Sequence, residues 1–356
     1  PAILLFTVVG IVYISLGGIK AVVWTNLVQA LVILGGGIAT LVFLGSRITG
    51  GGATLWRTAA AGGRLHVLDY GVPFSAPDFW TSFFSNPNIL WLAALNGLFG
   101  SMAAFGTDHD LMQRLLTVET RRESQRTMAL TIPVSLAVLL IYLSIGTGLY
   151  VFYAQNPALP LPDNGDKIFP HFIAQVMPPL LRGLLLSAIV LASIDSPLAS
   201  LSASFVTDLY RPFRRWLGER AGPGGRLGRL HRRLPPEDEA HFLRMSRWGV
   251  AGFGAVLAGL AFFFSHFENI LWLAFKIGGV TFGSLLGVFL LGLLTDRRGD
   301  RANVLAMTLS AGAMFVLLVL SEKHILPLGW SWLVILGTLV TFSAGWLLGP
   351  AWEKKR

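Results

Sequence analysis

The sequence contains no cysteine. That single absence excludes disulfides, thiolate metal sites and cysteine nucleophiles, and leaves the redox compartment open. Charge is also scarce: 13% of 356 residues are Asp, Glu, Lys or Arg, 53% are hydrophobic, and the mean hydropathy is +0.63. Soluble domains carry roughly 25% charged residues, so an ordinary soluble fold is excluded. The seven histidines, at 66, 109, 171, 231, 241, 266 and 324, include no pair three or four apart. Neither a helical zinc pair nor paired haem ligands is therefore indicated. A nucleotide-phosphate loop of the form G-x-x-x-x-G-K-[ST] and a G-x-S-x-G nucleophile elbow are missing as well. Enzyme chemistry is not expected, and no organic cofactor is implied.

What the chain does have is long apolar runs. A membrane-spanning helix needs about 20 mostly apolar residues, and nine candidates are found, at 2–17, 21–44, 88–106, 128–153, 183–206, 247–265, 269–294, 303–320 and 330–350. The expected fold class is all-α, a polytopic membrane helix bundle. The first run is short and opens on Pro1 without a charged leader, which reads as a fragment whose upstream helices are missing.

The net charge of +9 is placed unevenly. If the runs alternate across a membrane, 21 Lys and Arg fall on one side and 6 on the other, with Lys276 inside a span. Cytoplasmic loops carry the excess of Lys and Arg, which puts Pro1 outside and Arg356 in the cytoplasm. Residues 211–244 form a basic cytoplasmic loop within one transmembrane domain spanning 1–356. Attraction to anionic lipid explains its arginines without nucleic acid. Residues 45–87 and 154–182 are external, and Asp166–Met177 is expected to form a short helix over the extracellular mouth.

Three runs carry polar groups that a purely structural span would avoid. In 88–114, Asn96-Gly97 and Gly100-Ser101 interrupt an apolar stretch, either to break the helix and expose carbonyls to a ligand or to let helices pack closely. His109 beside Asp108 reads as an interfacial side chain. In 269–294, Gly279, Gly283 and Gly287 recur every four residues with Thr281 and Ser284 between them, a pattern expected for close helix packing. Lys276 lies near the external end of that run, where it either snorkels to the interface or pairs with an acid or an anionic solute. In 183–206, Asp195 sits at bilayer depth among Ser193, Ser196, Ser200 and Ser204. An intramembrane carboxylate marks a functional site by default, and hydroxyls suit a small cation. The alternative for Asp195 is a structural ion pair, with Lys276 as its partner.

Four blocks together resemble the sodium/solute symporter family, whose members share the five-plus-five inverted-repeat fold of the LeuT-like transporters. They are Gly17–Gln29 (GGIKAVVWTNLVQ), Gly106–Arg114 (GTDHDLMQR), Phe169–Tyr210 and Lys276–Leu294. The resemblance implies about nine transmembrane helices, with the first three core helices of the fold lacking. It also implies cation-coupled symport of a small organic solute by alternating access, with sodium as the coupling ion and the lipid bilayer as setting.

Carried across residue by residue, the resemblance makes Ser193, Asp195 and Ser196 cation-binding, with Ser193 the metal ligand. It points to Asn96, Ser101, Phe105, Lys276 and Thr281 for the solute. Two positions depart from the family pattern. Ala192 stands where the first of two adjacent hydroxyls is expected, and Asn26 replaces the aspartate of W-T-D. These departures favour the alternative of an uncoupled facilitator or a transporter-like sensor.

Overall fold

The computed structural model describes residues 2–66, 68–115, 118–192, 196–220, 238–267, 270–296 and 299–353. Every regular element among them is helical. The first is α1 (Ala2–Arg47), which carries both of the first two apolar runs. The Gly17-Gly18 pair that divides them in sequence keeps its N–H donors, so the helical ladder is not interrupted. Yet Tyr13 Oη lies 2.5 Å from Thr25 Oγ1. On a straight helix, residues twelve apart are separated by about 18 Å. The helix axis therefore bends between Tyr13 and Thr25, which separates α1 into two limbs.

Two short helices, α2 (Gly51–Ala61) and α3 (Phe79–Ser85), lie in a stretch whose Gly, Pro and aromatic content reads as loop. Next come α4 (Leu90–Thr107), α5 (His109–Leu115) and α6 (Arg121–Gln155). A short helix, expected over Asp166–Met177, is present as α7 (Gly165–Gln175). Its start is fixed by Asn164, whose side chain accepts from the Asp166 N–H at 2.9 Å and so satisfies an orphan helix donor. The 183–206 run is carried by α8 (Pro179–Ala192) and α9 (Ser196–Ser204). A π-helical turn, Phe205–Tyr210, leads into α10 (Arg211–Arg220). The chain closes with α11 (Glu239–Phe264), α12 (Ile270–Leu294), α13 (Asp300–Glu322) and α14 (Ser331–Glu353).

Seven helical segments among the described residues are long and apolar enough to cross a membrane, and the shorter apolar helices Ile3–Gly17 and Pro179–Ile189 occupy the first and fifth apolar runs. Large apolar side chains are exposed along these helices, Ile132 at 70% and Leu347 at 65% among them. Such surfaces suit lipid rather than water. The molecule is an integral membrane protein.

The helices divide into two compact units. In the first (residues 1–64 and 125–268), α1 packs against α8, α9 and α11 around Ile14, Leu198 and Val250. There, α6 is tied to the second limb of α1 by Tyr142, which donates to the Ile33 carbonyl at 3.1 Å. Beyond that limb, Gln155 bonds both the N–H and the carbonyl of Thr49, at 2.9 and 3.1 Å.

The second unit (residues 65–124 and 269–356) is built on α4, α12, α13 and α14. Its centre is the glycine stripe of α12. A Cβ on Gly283 would lie 2.7 Å from the Val334 carbonyl oxygen and 2.9 Å from Gly337 Cα, and one on Gly287 would lie 2.8 Å from the Thr338 carbonyl oxygen. Backbone meets backbone along this line, so packing is the role of the stripe.

Candidate transport site

Of the cation candidates, Ser193 and Asp195 lie outside the described residues, and Ser196 opens α9. The rest of α9 is well fixed. Buried Ser202 donates to the Ser246 carbonyl on α11 at 2.6 Å, with its oxygen 2.9 Å from Ser246 Oγ. A Cβ on Gly249 would come within 3.0 Å of Ser202 Oγ, so the glycine is what lets the two helices meet there. Ser202 falls outside the Ser193, Ser196, Ser200, Ser204 series, and its hydroxyl serves helix packing. Ser200 and Ser204 remain half-buried on the expected face.

The structure adds Gln29 to this unit. It lines a cleft of about 410 Å³ with Val32, Gly183, Leu184 and Ser187. Its Oε1 is buried and has no hydrogen-bond partner among the described residues. An unpaired buried amide oxygen costs roughly 1–3 kcal/mol, so it is poised to accept from a ligand. The rule that singles out Asp195, a polar group deep in an apolar run, would have found Gln29 too.

The solute candidates all belong to the second unit, on α4 and α12, two helices that pack together. Here the structure corrects one expectation. The α4 helix runs unbroken through Asn96-Gly97 and Gly100-Ser101, and the backbone turns away only at Asp108, where φ is −74° and ψ is 118°. Glycine weakens a helix by roughly 0.5–1 kcal/mol but still donates its N–H, so two glycines do not end it. The alternative of close packing is not met at these positions either. A Cβ on Gly97 or Gly100 would meet open space among the described residues.

An unbroken helix turns about 100° per residue, which separates the candidates. Ser101 and Phe105 share a face, whereas Asn96 lies about 180° round from Phe105. That opposite face also carries the fully buried Leu92 and Ala103. Asn96 is thus turned into the packed side of α4, its Oδ1 buried without a hydrogen-bond partner among the described residues.

The same division holds on α12. Thr281 is exposed, with its hydroxyl 3.4 Å from the Ile277 and Gly278 carbonyls. Lys276 is half-buried, and its Nζ lies 2.7 Å from Glu322 Oε1 at the end of α13. Of the alternatives open for Lys276, pairing with an acid is the one observed. The acid is Glu322, which sequence spacing did not single out. Downstream of α4, Asp108 Oδ1 accepts from the Leu111 N–H at 3.2 Å, and His109 is exposed beside it.

The family model described as "SSF: Sodium:solute symporter family" matches residues 1–221, well over half of the chain. The chain belongs to the sodium:solute symporter family. Among its relatives is the sodium/sialic acid symporter of Proteus mirabilis, 26% identical over 353 residues and covering 98% of this chain. The sodium/sialic acid symporter of Aliivibrio fischeri is 24% identical over 360 residues, covering 99% of this chain. A sodium-dependent multivitamin transporter of Oryctolagus cuniculus is 26% identical over 300 residues, 82% of this chain and 42% of its own length. This chain spans 64% of the length of each of the two bacterial relatives. A solved structure of a Na+-coupled sialic acid symporter, substrate-bound and outward-open, matches with a TM-score of 0.72 at 23% identity. That match covers 98% of this chain and 66% of the other, and it establishes the shared fold.

Proposed function

We propose that the chain forms the larger part of a secondary transporter that couples entry of a small organic solute to sodium by alternating access. The observation that carries this reading is the family match across residues 1–221, which takes in the Asp195 block, together with relatives that are named as sodium-coupled over nearly the whole chain. A cation that binds one facing state more tightly shifts the equilibrium toward it, and that differential affinity is what couples the two fluxes.

In this reading Ser193, Asp195 and Ser196 hold the cation, and the serine face of α9 continues its path. Ser101, Phe105 and Thr281 meet the solute, since they lie on the faces of α4 and α12 not used for packing. Asn96 and Lys276 act from behind, the first as a buried amide and the second through its pair with Glu322. The bacterial relatives and the 21-to-6 distribution of Lys and Arg support a bacterial inner membrane and a cytoplasmic C-terminus.

The test is a counterflow screen of radiolabelled solutes with the full-length protein in liposomes, with and without sodium. Exchange of one solute class that sodium stimulates is the expected result. Exchange of equal rate without sodium would make the protein a facilitator, and saturable binding with no exchange at all would make it a sensor.

A further inference from the structure

Seven of the 22 residues from Tyr70 to Trp91 are aromatic, against 12% of the whole chain. No role in transport is assigned to any of them. Five of these rings, Tyr70, Phe74, Phe79, Phe83 and Trp91, line one cavity of about 280 Å³, to which Ser82 brings a hydroxyl. The rings brace one another. Phe74 and Phe79 meet edge-on with centroids 4.9 Å apart, and Phe79 and Phe83 stack at 5.8 Å with planes 19° from parallel. Tyr70, Phe74 and Trp91 are 62%, 76% and 61% exposed, so these three border the opening.

The cavity is fixed by the backbone around it. Gly71 lines it at a φ of +75°, a conformation open to glycine, and a Cβ there would come within 3.1 Å of Ile89 Cγ2. Asp69 Oδ1 accepts from the Gly71 N–H at 2.8 Å, Oδ2 from Asn86 Nδ2 at 3.3 Å, and the Asp69 carbonyl from the Leu90 N–H at 2.7 Å. Phe83 packs edge-on against Trp332 of α14, with centroids 5.7 Å apart, and the Phe84 carbonyl accepts from the Gly329 N–H at 2.6 Å. A pocket built this way loses little freedom when it is filled. Aromatics that serve only as an interfacial belt need neither an enclosed volume nor such fixing.

Charge decides what the cavity suits. In a chain of net charge +9, residues 65–92 hold two carboxylates, Asp69 and Asp78, and no Lys or Arg. Asp69 is bonded to the lining residue Gly71, and Asp78 directly precedes Phe79 at the start of α3. Ring faces attract cations through their quadrupole and repel anions. A hard metal ion would need six or more oxygen ligands, and a primary ammonium brings three donors that need acceptors; Ser82 alone meets neither demand. We propose that this cavity binds a quaternary ammonium group, held by the faces of Tyr70, Phe74, Phe79, Phe83 and Trp91. The volume falls just below the range of about 300–1,000 Å³ for drug-sized ligands, so the group is small, either a free cation or the headgroup of a lipid. Trp91 lies about 15 Å along α4 from Ser101, which separates this site from the solute candidates.

The probe is choline, titrated by saturation-transfer NMR against the full-length protein in nanodiscs of phosphatidylglycerol, a lipid without an ammonium group, with empty nanodiscs as the blank. Choline is expected to bind above the blank. Its uncharged isostere, in which a tert-butyl group replaces trimethylammonium, should bind about tenfold more weakly. Tyr70→Leu and Trp91→Leu, at exposed positions, should each weaken choline by about two- to fivefold while circular dichroism shows unchanged helix content. Equal binding of the isostere would make the cavity merely apolar, and choline binding that both substitutions leave intact would place the cation elsewhere. Either result overturns the proposal, as does an absence of binding above the blank. Nanodiscs of phosphatidylcholine then assign the source: loss of free choline binding there supports occupation by a lipid headgroup, and unchanged binding supports a free cation.

Discussion

Lys276 illustrates how a residue's partner decides its role. Its amine meets Glu322 at 2.7 Å, with the two side chains 27% and 52% exposed. A pair this open to its surroundings contributes only about 0.2–1 kcal/mol. Glu322→Gln is therefore expected to change unfolding stability in mixed micelles by no more than about 1 kcal/mol; a loss of several would mean that the pair is desolvated. Glu322 supplies a partner for the amine, so the proposed cation role of Asp195 does not leave Lys276 unpaired. Asp195→Asn should accordingly preserve the fold while weakening the sodium dependence of uptake; normal sodium dependence in that variant would remove Asp195 from the cation path. At the neighbouring departure, Ala192→Ser restores a hydroxyl beside Ser193 and should tighten sodium by up to about 1.4 kcal/mol, or tenfold. An unchanged sodium half-saturation concentration in uptake would place position 192 away from the ion. The sequence identified these residues by kind, since a charge or hydroxyl in an apolar run stands out. The same rule would have reached Gln29, but it could not reveal Glu322, because a partner forty-six residues away exists only after packing.

At the scale of elements, glycine spacing was readable where it repeats and misleading where it does not. Gly279, Gly283 and Gly287 every fourth residue define a continuous face, and a continuous face needs a neighbour. That neighbour is α14, whose backbone comes into contact at Gly283. Isolated Gly97 and Gly100 in α4 give no such face, and one or two helix-weakening residues do not outweigh an eighteen-residue hydrogen-bond ladder. Two alanine substitutions on the same helix separate the effects. Gly283→Ala drives a Cβ into the Val334 carbonyl and Gly337 and should destabilise by about 1–3 kcal/mol. Gly292→Ala meets open space among the described residues and should instead stabilise by roughly 0.5–1 kcal/mol through helix propensity. Equal effects of the two in an unfolding titration would mean that the α12–α14 contact is looser than its backbone distances indicate. The two limbs of α1 were legible as two apolar runs, although the bend between them was not. Nothing in Gly17-Gly18 dictates a bend, and the Tyr13–Thr25 contact that marks it lies between side chains far apart in sequence.

For the whole molecule, the governing quantity is where positive charge falls between apolar segments. If each apolar run crosses once, 21 Lys and Arg share one side and 6 the other. Nine consecutive reversals of a random distribution would not keep that bias, whereas the cost of carrying Lys and Arg across a membrane during insertion does. Among the described residues seven helices are long and apolar enough to cross a membrane, and alternation over nine crossings rests on the apolar runs of the sequence. The cysteine-free background permits a direct measurement on intact cells. Gly225→Cys, in the basic stretch after α10, should resist a membrane-impermeant maleimide until the cells are opened, while Gly165→Cys, at the start of α7, should label at once. Gly165 has open space around it among the described residues, so the substitution should not disturb α7. Labelling of both from outside, or of Gly225→Cys alone, would reverse or abolish the assigned orientation.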